Sequence, residues 1–113
     1  MTIIAFKKKI KTKSKTIDFQ ETIQLIESNY TFTPTTFVNG SIKNEAGNNS
    51  GSCKVFAFAK LEGLTKEETL ACFGQYYTDV RNKPNGEDHQ NIRNFIKTGF
   101  KGIRFEQQAL APK

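Results

Sequence analysis

The feature that most constrains this chain is a polar stretch, residues 39–54, that leads directly into its most apolar run, residues 55–59. The polar stretch consists mainly of Asn, Gly, Ser, Glu and Lys, whereas the apolar run reads VFAFA. Such a run predicts a helix that is buried on most sides. A glycine-rich loop before a helix can direct backbone N–H groups toward a ligand. The sequence therefore predicts a site in this loop, although it does not specify a reaction.

The length and composition indicate one folded domain. The chain has 113 residues, of which 36% are apolar and 25% charged. This length suffices for one hydrophobic core but is too short for two domains. No apolar run approaches the roughly 20 residues that a membrane-spanning helix needs. We expect a monomeric single domain without a membrane span.

The positive charge of the chain is concentrated in one segment. Of the 17 basic residues, six are lysines within residues 1–16, a segment without acidic residues, and the others equal the 11 acidic residues in number. A neutral body argues against a domain built around nucleic-acid phosphates. We expect no specific nucleic-acid partner and interpret the lysines as a solvated helix face. Salt-sensitive binding of acidic lipid or nucleic acid by this segment is the alternative.

Apolar periodicity and capping signals predict about five helices. They are expected at residues 2–11, 19–29, 53–62, 66–81 and 89–98. The expected N-caps are Asp18 and Thr65, each with a Glu three residues later, together with Ser52 and Asp88; the expected stops are Gly63 and Gly99. Each of these signals marks a helix end, so the boundaries follow from local chemistry.

Strand signals are fewer. Phe37-Val38 suits a short strand, the pair Asn39-Gly40 predicts a turn, and residues 42–44 can return as a second strand. Residues 102–105 alternate like a final strand, which is expected to pair with 36–38 or 41–44. The predicted fold class is α+β, with about five helices packed around a small antiparallel sheet.

Several segments, in order and with compatible spacing, resemble the HopJ family of type III effector proteins. They are residues 30–37 (YTFTPTTF), 44–47 (NEAG), 51–54 (GSCK), 56–59 (FAFA), 73–77 (FGQYY), 88–89 (DH), 91–93 (NIR) and 102–105 (GIRF). The combination is specific, whereas each piece alone is weak. We therefore predict a HopJ-like domain at residues 17–105, preceded by a Lys-rich helix and linker at 1–16 and followed by a loose C-terminal tail at 106–113.

The resemblance implies a small α+β fold and delivery into plant cells by plant-pathogenic bacteria, although similar proteins occur in bacteria without that lifestyle. It implies no reaction, cofactor or host target. Cys53 and Cys72 are too few for a disulfide scaffold and both read as buried. We expect a cytoplasmic protein without a cofactor, secreted by a type III system where it serves as an effector.

The preferred function is binding of a small polar or anionic ligand, or of a host protein, through residues 39–54 and 88–93. The candidate ligand-binding residues are Asn44, Glu45, Ser52, Lys54, His89 and Arg93. The segment lacks the order of residues that a nucleotide phosphate loop requires. The alternative is that Ser52 only caps a helix while the loop's polar side chains satisfy its own backbone.

A competing hypothesis is a metal-independent hydrolase or transferase. Glu45 and His89 would form its acid–base pair, and Cys53 near a helix start would have a lowered thiol pKa. Such an enzyme requires Glu45 or Cys53 to meet His89 beside a cavity. One His and two distant Cys provide no metal motif. A third hypothesis, a host-directed interaction module without a pocket, predicts an exposed apolar patch.

Overall fold

The computed structural model describes residues 1–113 and has six α-helices and five short strands. The helices are α1 (Ile3–Thr12), α2 (Phe19–Asn29), α3 (Ser50–Glu62), α4 (Lys66–Ala71), α5 (Gln75–Asn82) and α6 (Gln90–Thr98). The strands are β1 (Tyr30–Phe32), β2 (Phe37–Asn39), β3 (Ile42–Asn44), β4 (Ile103–Phe105) and β5 (Leu110–Pro112). The predicted α+β class is confirmed. None of the helices combines the length and the apolar character needed to cross a membrane.

The strands form two small antiparallel sheets. In the first, the order is β3-β2-β4, so Phe37 lies opposite both Asn44 and Phe105. This confirms the predicted turn between β2 and β3 and the pairing of the final predicted strand with β2. In the second sheet, β1 pairs with β5. The expectation of a loose C-terminal tail is therefore wrong, because Ala109 and Leu110 are buried and β5 is paired.

The apolar run of α3 is the centre of the hydrophobic core, as its composition predicts. The Phe56 ring lies 6.2, 5.4 and 4.9 Å from the rings of Phe37, Phe73 and Phe95, respectively. The neighbouring Phe58 ring meets α1 and β1 instead. Helix α3 therefore contacts the three-stranded sheet through one face and the N-terminal part of the chain through another, which holds the polar loop before it in a fixed position.

Two helix starts differ from their predictions. Helix α3 begins at Ser50 with Asn49 as its N-cap, whereas Ser52 was predicted as the cap. Helix α6 has His89 as its N-cap, and the predicted cap Asp88 instead binds Arg93. Both N-cap residues have a left-handed backbone, which sequence periodicity does not reveal.

The predicted helix over 66–81 is divided into α4 and α5 at Gly74. Gly74 has φ +56°, and a Cβ atom there would lie 2.6 Å from Phe19 N and 2.7 Å from Ile17 O. No side chain fits this contact, so only glycine permits the backbone to pass so close to the start of α2. Gln75 Oε1 then accepts a hydrogen bond from Phe19 N at 2.9 Å. The break thus lets α5 dock on α2.

Candidate functional site

Four asparagines, Asn39, Asn44, Asn49 and Asn91, form a hydrogen-bonded group that we call the asparagine cluster. Asn44 Nδ2 donates to Asn91 Oδ1 at 3.2 Å, and Asn91 Nδ2 donates to Asn44 Oδ1 at 3.0 Å. Asn39 Nδ2 donates to the carbonyl and the side-chain oxygen of Asn91 at 2.8 and 2.9 Å. Asn49 Nδ2 donates to Asn44 Oδ1 at 2.7 Å. The cluster therefore joins the two segments, 39–54 and 88–93, that carry the candidate residues.

Most of the cluster is shielded from solvent. Asn39, Asn44 and Asn91 are buried, and Asn39 Oδ1 has no hydrogen-bond partner in the protein. A buried side-chain amide does not destabilise the fold as long as its hydrogen bonds are made. A buried amide without partners does, because it has lost its hydrogen bonds to water. The cluster is therefore a rigid connection between segments 39–54 and 88–93, and Asn44 is the residue that bonds to both Asn49 and Asn91.

The N-termini of α3 and α6 lie at the two ends of this connection. Their N-caps, Asn49 and His89, have φ +54° and +51°, and neither side chain caps its own helix. The backbone N–H groups of residues 50–52 and 90–91 consequently donate to no protein acceptor. Unpaired amides at a helix start carry partial positive charge. Two such starts are linked by two consecutive side-chain hydrogen bonds, through Asn49, Asn44 and Asn91.

A row of rings links the same two helix starts by a second route. A Cβ atom at Gly51 would lie 2.9 Å from Phe19 Cζ, so the first turn of α3 rests on that ring. The Phe19 ring is 5.0 Å from Tyr76, and the Tyr76 ring is 5.3 Å from His89. His89 Nε2 also lies 3.5 Å from Asp79 Oδ2. His89 is therefore held in place between α5 and the start of α6.

Arg93 was predicted as a ligand-binding residue, but its guanidinium is engaged within the protein. It donates to the Asp88 carboxylate at 2.6 Å, to the Asp88 carbonyl at 2.5 Å and to the Lys83 carbonyl at 2.7 Å. The hydrogen bond from Arg93 lowers the pKa of Asp88 below its usual value. Arg93 therefore anchors the loop that precedes α6 and supports the position of His89.

The remaining predicted ligand-binding side chains are distributed around the start of α3. Lys54 Nζ lies 3.1 Å from a Glu27 carboxylate oxygen and 4.8 Å from the centre of the Phe32 ring. Glu45 is exposed and pairs with Lys43 at 3.6 Å. Ser52 is half-buried, and its hydroxyl makes no hydrogen bond within the protein. Of this group only Ser52 lies among the unpaired first-turn amides with an uncommitted side chain.

The structure gives no contact that supports the candidate catalytic residues. Cys53 is buried, with Sγ 4.0 Å from the Thr35 carbonyl, and burial raises the pKa of its thiol to about 11. The predicted lowering of this pKa is wrong, because the helix begins three residues earlier and Cys53 faces the core. No hydrogen bond or ion pair joins Glu45 to His89. No group of His, Cys, Asp and Glu side chains is arranged to hold a metal ion.

A cavity of about 1110 Å³ lies elsewhere in the protein. It opens between the lysine-rich segment and helices α4 and α5, and its lining is mostly polar. None of the predicted ligand-binding residues lines it.

Sequence reasoning did not single out Asn39, Asn49, Asn91 or Tyr76, although the three asparagines lie within the predicted segments 39–54 and 88–93. The signal for Asn49 was available, because Asn is among the few residues that tolerate a left-handed backbone. The partnership of Asn44 with Asn91 spans 47 positions and has no local signal.

Comparison with known proteins gives two matches. Residues 3–110 match the family model described as HopJ type III effector protein. The crystal structure of an unknown function protein, VPA0580, is 49% identical in sequence, with a TM-score of 0.97. That similarity covers 100% of this chain and 95% of the other. No curated protein matches. The family match is wider than the resemblance at 17–105, since it takes in α1 and extends to Leu110.

Proposed function

The chain belongs to the HopJ type III effector protein family, and from this premise we propose that it is a binding domain for a small anionic ligand. The proposed site consists of the first turns of α3 and α6 together with the asparagine cluster that joins them. The ligand class is a carboxylate or a phosphate. An acidic side chain of a host protein would present the same chemical group.

The observation that carries this proposal is the backbone of Asn49 and His89. A left-handed conformation costs a residue other than glycine roughly 1–2 kcal/mol, and less for Asn, whose short polar side chain tolerates it. A capping side chain would also have contributed about 1 kcal/mol to each helix. In both helices the N-cap residue has this left-handed backbone, and its side chain makes no capping hydrogen bond. Strain of this kind is concentrated at functional sites, where the surrounding structure holds it.

The starts of the other helices provide a comparison for these two uncapped starts. Asp18 with Glu21 and Thr65 with Glu68 form complete capping boxes at α2 and α4. Thr2 likewise caps α1, whereas α5 begins after Gly74, which has no side chain that could cap it. At α3 and α6 the side chains that could cap point instead toward the asparagine cluster and toward Asp79. The free backbone N–H groups remain available to donate hydrogen bonds to an anion.

The electrostatics of the proposed site depend on the backbone. The nearest lysine of α3, Lys54, is paired with Glu27, and Arg93 is paired with Asp88. These pairs cancel the charges of Lys54 and Arg93, and the Asp79 carboxylate places a negative charge 3.5 Å from His89 at the start of α6. The helix dipoles and the amides must therefore provide most of the attraction, which favours a small ligand that reaches the first turns closely. No contact in the structure favours the hydrolase or transferase alternative over binding.

The experiment is a thermal-shift titration with phosphate and acetate at constant ionic strength, with chloride as the reference. The key variant is Asn49→Asp, which puts a carboxylate where the anion is proposed to bind. Its matched control is Asn48→Asp, which adds the same charge one residue away at an exposed position without a side-chain hydrogen bond.

We expect phosphate or acetate to raise the melting temperature of the unsubstituted protein and of Asn48→Asp, because a ligand that binds only the folded state stabilises it. The shift should be absent in Asn49→Asp. An equal shift in all three proteins would place any binding elsewhere. Absence of a shift with every anion tested would rule out the proposed ligand class.

Delivery by a type III system is a separate part of the proposal and rests on the family description alone. Its test is a translocation reporter fused after residue 113 in a bacterium that has a functional type III apparatus. The same strain without the secretion ATPase is the control. Equal signals in both strains would argue against this route.

A further inference from the structure

Helix α1 and the 3-10 turn after it carry lysines in two different environments. Lys7 Nζ donates to the Glu62 carbonyl at 3.0 Å, and Lys9 Nζ lies 2.6 Å from a Glu21 carboxylate oxygen. Four other lysines of this segment are exposed, and their ammonium groups make no hydrogen bond or ion pair within the protein: Lys8, Lys11, Lys13 and Lys15. Contacts with the rest of the protein therefore occupy the ammonium groups of two lysines, and the other four ammonium groups are free.

Two of the free lysines share a helix face with an exposed apolar residue. Ile4, Lys8 and Lys11 recur at i, i+4 and i+7, which places them along one side of α1. The buried residues of the helix, Phe6 and Ile10, lie on a different side, packed into the core. This arrangement leaves one side of α1 both basic and apolar.

The exposed large hydrophobic residues of the molecule all lie at this end. They are Met1, Ile4 and Leu61, at 67%, 81% and 51% exposure. Met1 and Ile4 are at the start of α1, and Leu61 adjoins Glu62, whose carbonyl accepts the hydrogen bond from Lys7. Met1 and Ile4 are thus exposed at the start of the helix whose free lysines are Lys8 and Lys11.

We propose that this region is a docking surface for an anionic lipid membrane. We call it the α1 face and define it as Met1, Ile4, Lys8, Lys11, Lys13 and Lys15. Basic residues near an acidic bilayer are attracted to its negative surface potential, while exposed apolar side chains enter the boundary between headgroups and acyl chains. Because the rest of the chain is electrically balanced, the attraction orients the molecule with the α1 face toward the membrane.

The side chains of the α1 face favour lipid over nucleic acid. The face contains no Arg and no aromatic residue, which are the side chains that grip phosphates in a fork or stack on bases. Its apolar members would gain nothing from a phosphate backbone, whereas a bilayer accommodates them.

This surface is independent of the proposed ligand site. Lys7 contacts Glu62 at the C-terminal end of α3, and the ligand site is at the N-terminal end. The helix between them is about 20 Å long. A docked molecule would therefore keep the first turns of α3 and α6 open to ligand.

The test is co-sedimentation of the full chain with phosphatidylcholine vesicles, with and without phosphatidylserine. Binding is expected only with phosphatidylserine, and it should weaken steeply as salt is raised. Replacing Lys8, Lys11, Lys13 and Lys15 with Glu should abolish it. The matched control replaces Lys83, Lys97, Lys101 and Lys113 with Glu, which changes the net charge equally at exposed lysines elsewhere. This control should retain most of the binding.

Milder variants keep the test decisive if the fourfold reversal disturbs folding. Lys8→Ala should lower the partition coefficient about fivefold, since each lysine near an acidic surface contributes comparably. Ile4→Ser should also lower it, and this side chain is too exposed to matter for folding. Equal losses in both fourfold variants, or no binding to phosphatidylserine vesicles, would overturn the proposal. Lysine-dependent binding of duplex DNA or RNA, unchanged in Ile4→Ser and without vesicle binding, would overturn it in favour of nucleic acid.

Discussion

Asn44 and Asn91 exchange two side-chain hydrogen bonds, each amide donating to the oxygen of the other at 3.2 and 3.0 Å. Both residues are buried, and they are 47 positions apart in the sequence. This pair fixes the end of β3 against the first turn of α6. The geometry of the candidate site therefore depends on a contact between two polar side chains inside the protein.

Replacing Asn91 by Ala should destabilise the fold strongly. The substitution removes one of the two acceptors of Asn39 Nδ2 and the sole acceptor of Asn44 Nδ2, while Asn44 Oδ1 keeps the hydrogen bond from Asn49. An unpaired buried group costs about 1–3 kcal/mol and each lost hydrogen bond about 1 kcal/mol, so we expect a loss of about 2 kcal/mol or more in the free energy of unfolding. Urea denaturation measures it. Asn48→Ala, at an exposed position, should stay within about 0.5 kcal/mol of the unsubstituted protein. Similar values for the two variants would contradict a structural role for the cluster.

Gly74→Ala should be among the most damaging single-methyl additions. The new Cβ would lie within 2.7 Å of two backbone atoms of the 17–19 segment, at a left-handed φ. Strain and overpacking add, so we expect a loss of about 3 kcal/mol or more. Gly63→Ala is the matched control, because its φ is +67° and a Cβ there meets nothing within 4 Å. It should cost about 1 kcal/mol, the conformational term alone. Equal unfolding midpoints would show that the 17–19 segment moves aside freely.

Neither thiol should react in the native protein at pH 8. Burial raises the pKa of Cys53 to about 11 and that of Cys72 to about 12, so almost no thiolate is present. A colorimetric disulfide reagent should therefore detect no fast-reacting thiol in buffer and both thiols in urea. Fast labelling of native Cys53, identified by its loss in Cys53→Ser, would instead revive the nucleophile hypothesis. Cys72→Ser is the matched control for that assignment.

Local signals were sufficient for much of this fold. The capping boxes at Asp18 and Thr65 and the stops at Gly63 and Gly99 lie where they were predicted, because a helix end is decided by a few neighbouring residues. The turn after Asn39 is equally local. These features required no knowledge of the tertiary structure.

The features that were missed depend on distant contacts. The break at Gly74 exists because the backbone of 17–19 passes beside it, and helical periodicity runs through the position undisturbed. Strand β5 is paired with β1, about eighty positions away, and three residues are too few to show a strand pattern. The two segments that were predicted to act together, 39–54 and 88–93, are in contact. Of the asparagines that join them only Asn44 was singled out, because a polar residue's burial is set by partners that the sequence does not reveal.

Asp88→Asn should weaken the dependence of stability on acid. The hydrogen bond from Arg93 lowers the pKa of Asp88 in the folded state relative to the unfolded chain. A lowered pKa provides stability above the unfolded value, near 3.9, and this stability is lost as the pH falls below it. The unfolding midpoint of Asp88→Asn should therefore fall less steeply on acidification than that of the unsubstituted protein. Glu87→Gln is the control, since this neighbouring exposed carboxylate binds no cation, and a matching change there would remove Arg93 as the cause.

Tyr30→Phe should weaken the dependence of stability on alkali. Burial, followed by the hydrogen bond to Glu62 and its negative charge, raises the pKa of Tyr30 to about 12. The unfolded chain loses this proton near pH 10, so the folded state binds the extra proton between pH 10 and 12. The free energy of unfolding therefore falls with rising pH in that window, by up to about 1.4 kcal/mol per pH unit. Removing the hydroxyl should flatten this part of the profile, while the two thiols contribute equally in both proteins.

The control for Tyr30 is Tyr77→Phe, because the Tyr77 hydroxyl makes no hydrogen bond within the protein. Near pH 7, Tyr30→Phe should cost about 1 kcal/mol for the lost hydrogen bond, and Tyr77→Phe should cost less. Urea denaturation from pH 8 to pH 11.5 distinguishes the two variants. If they show the same alkaline slope, the hydrogen bond between β1 and the end of α3 does not hold the Tyr30 proton.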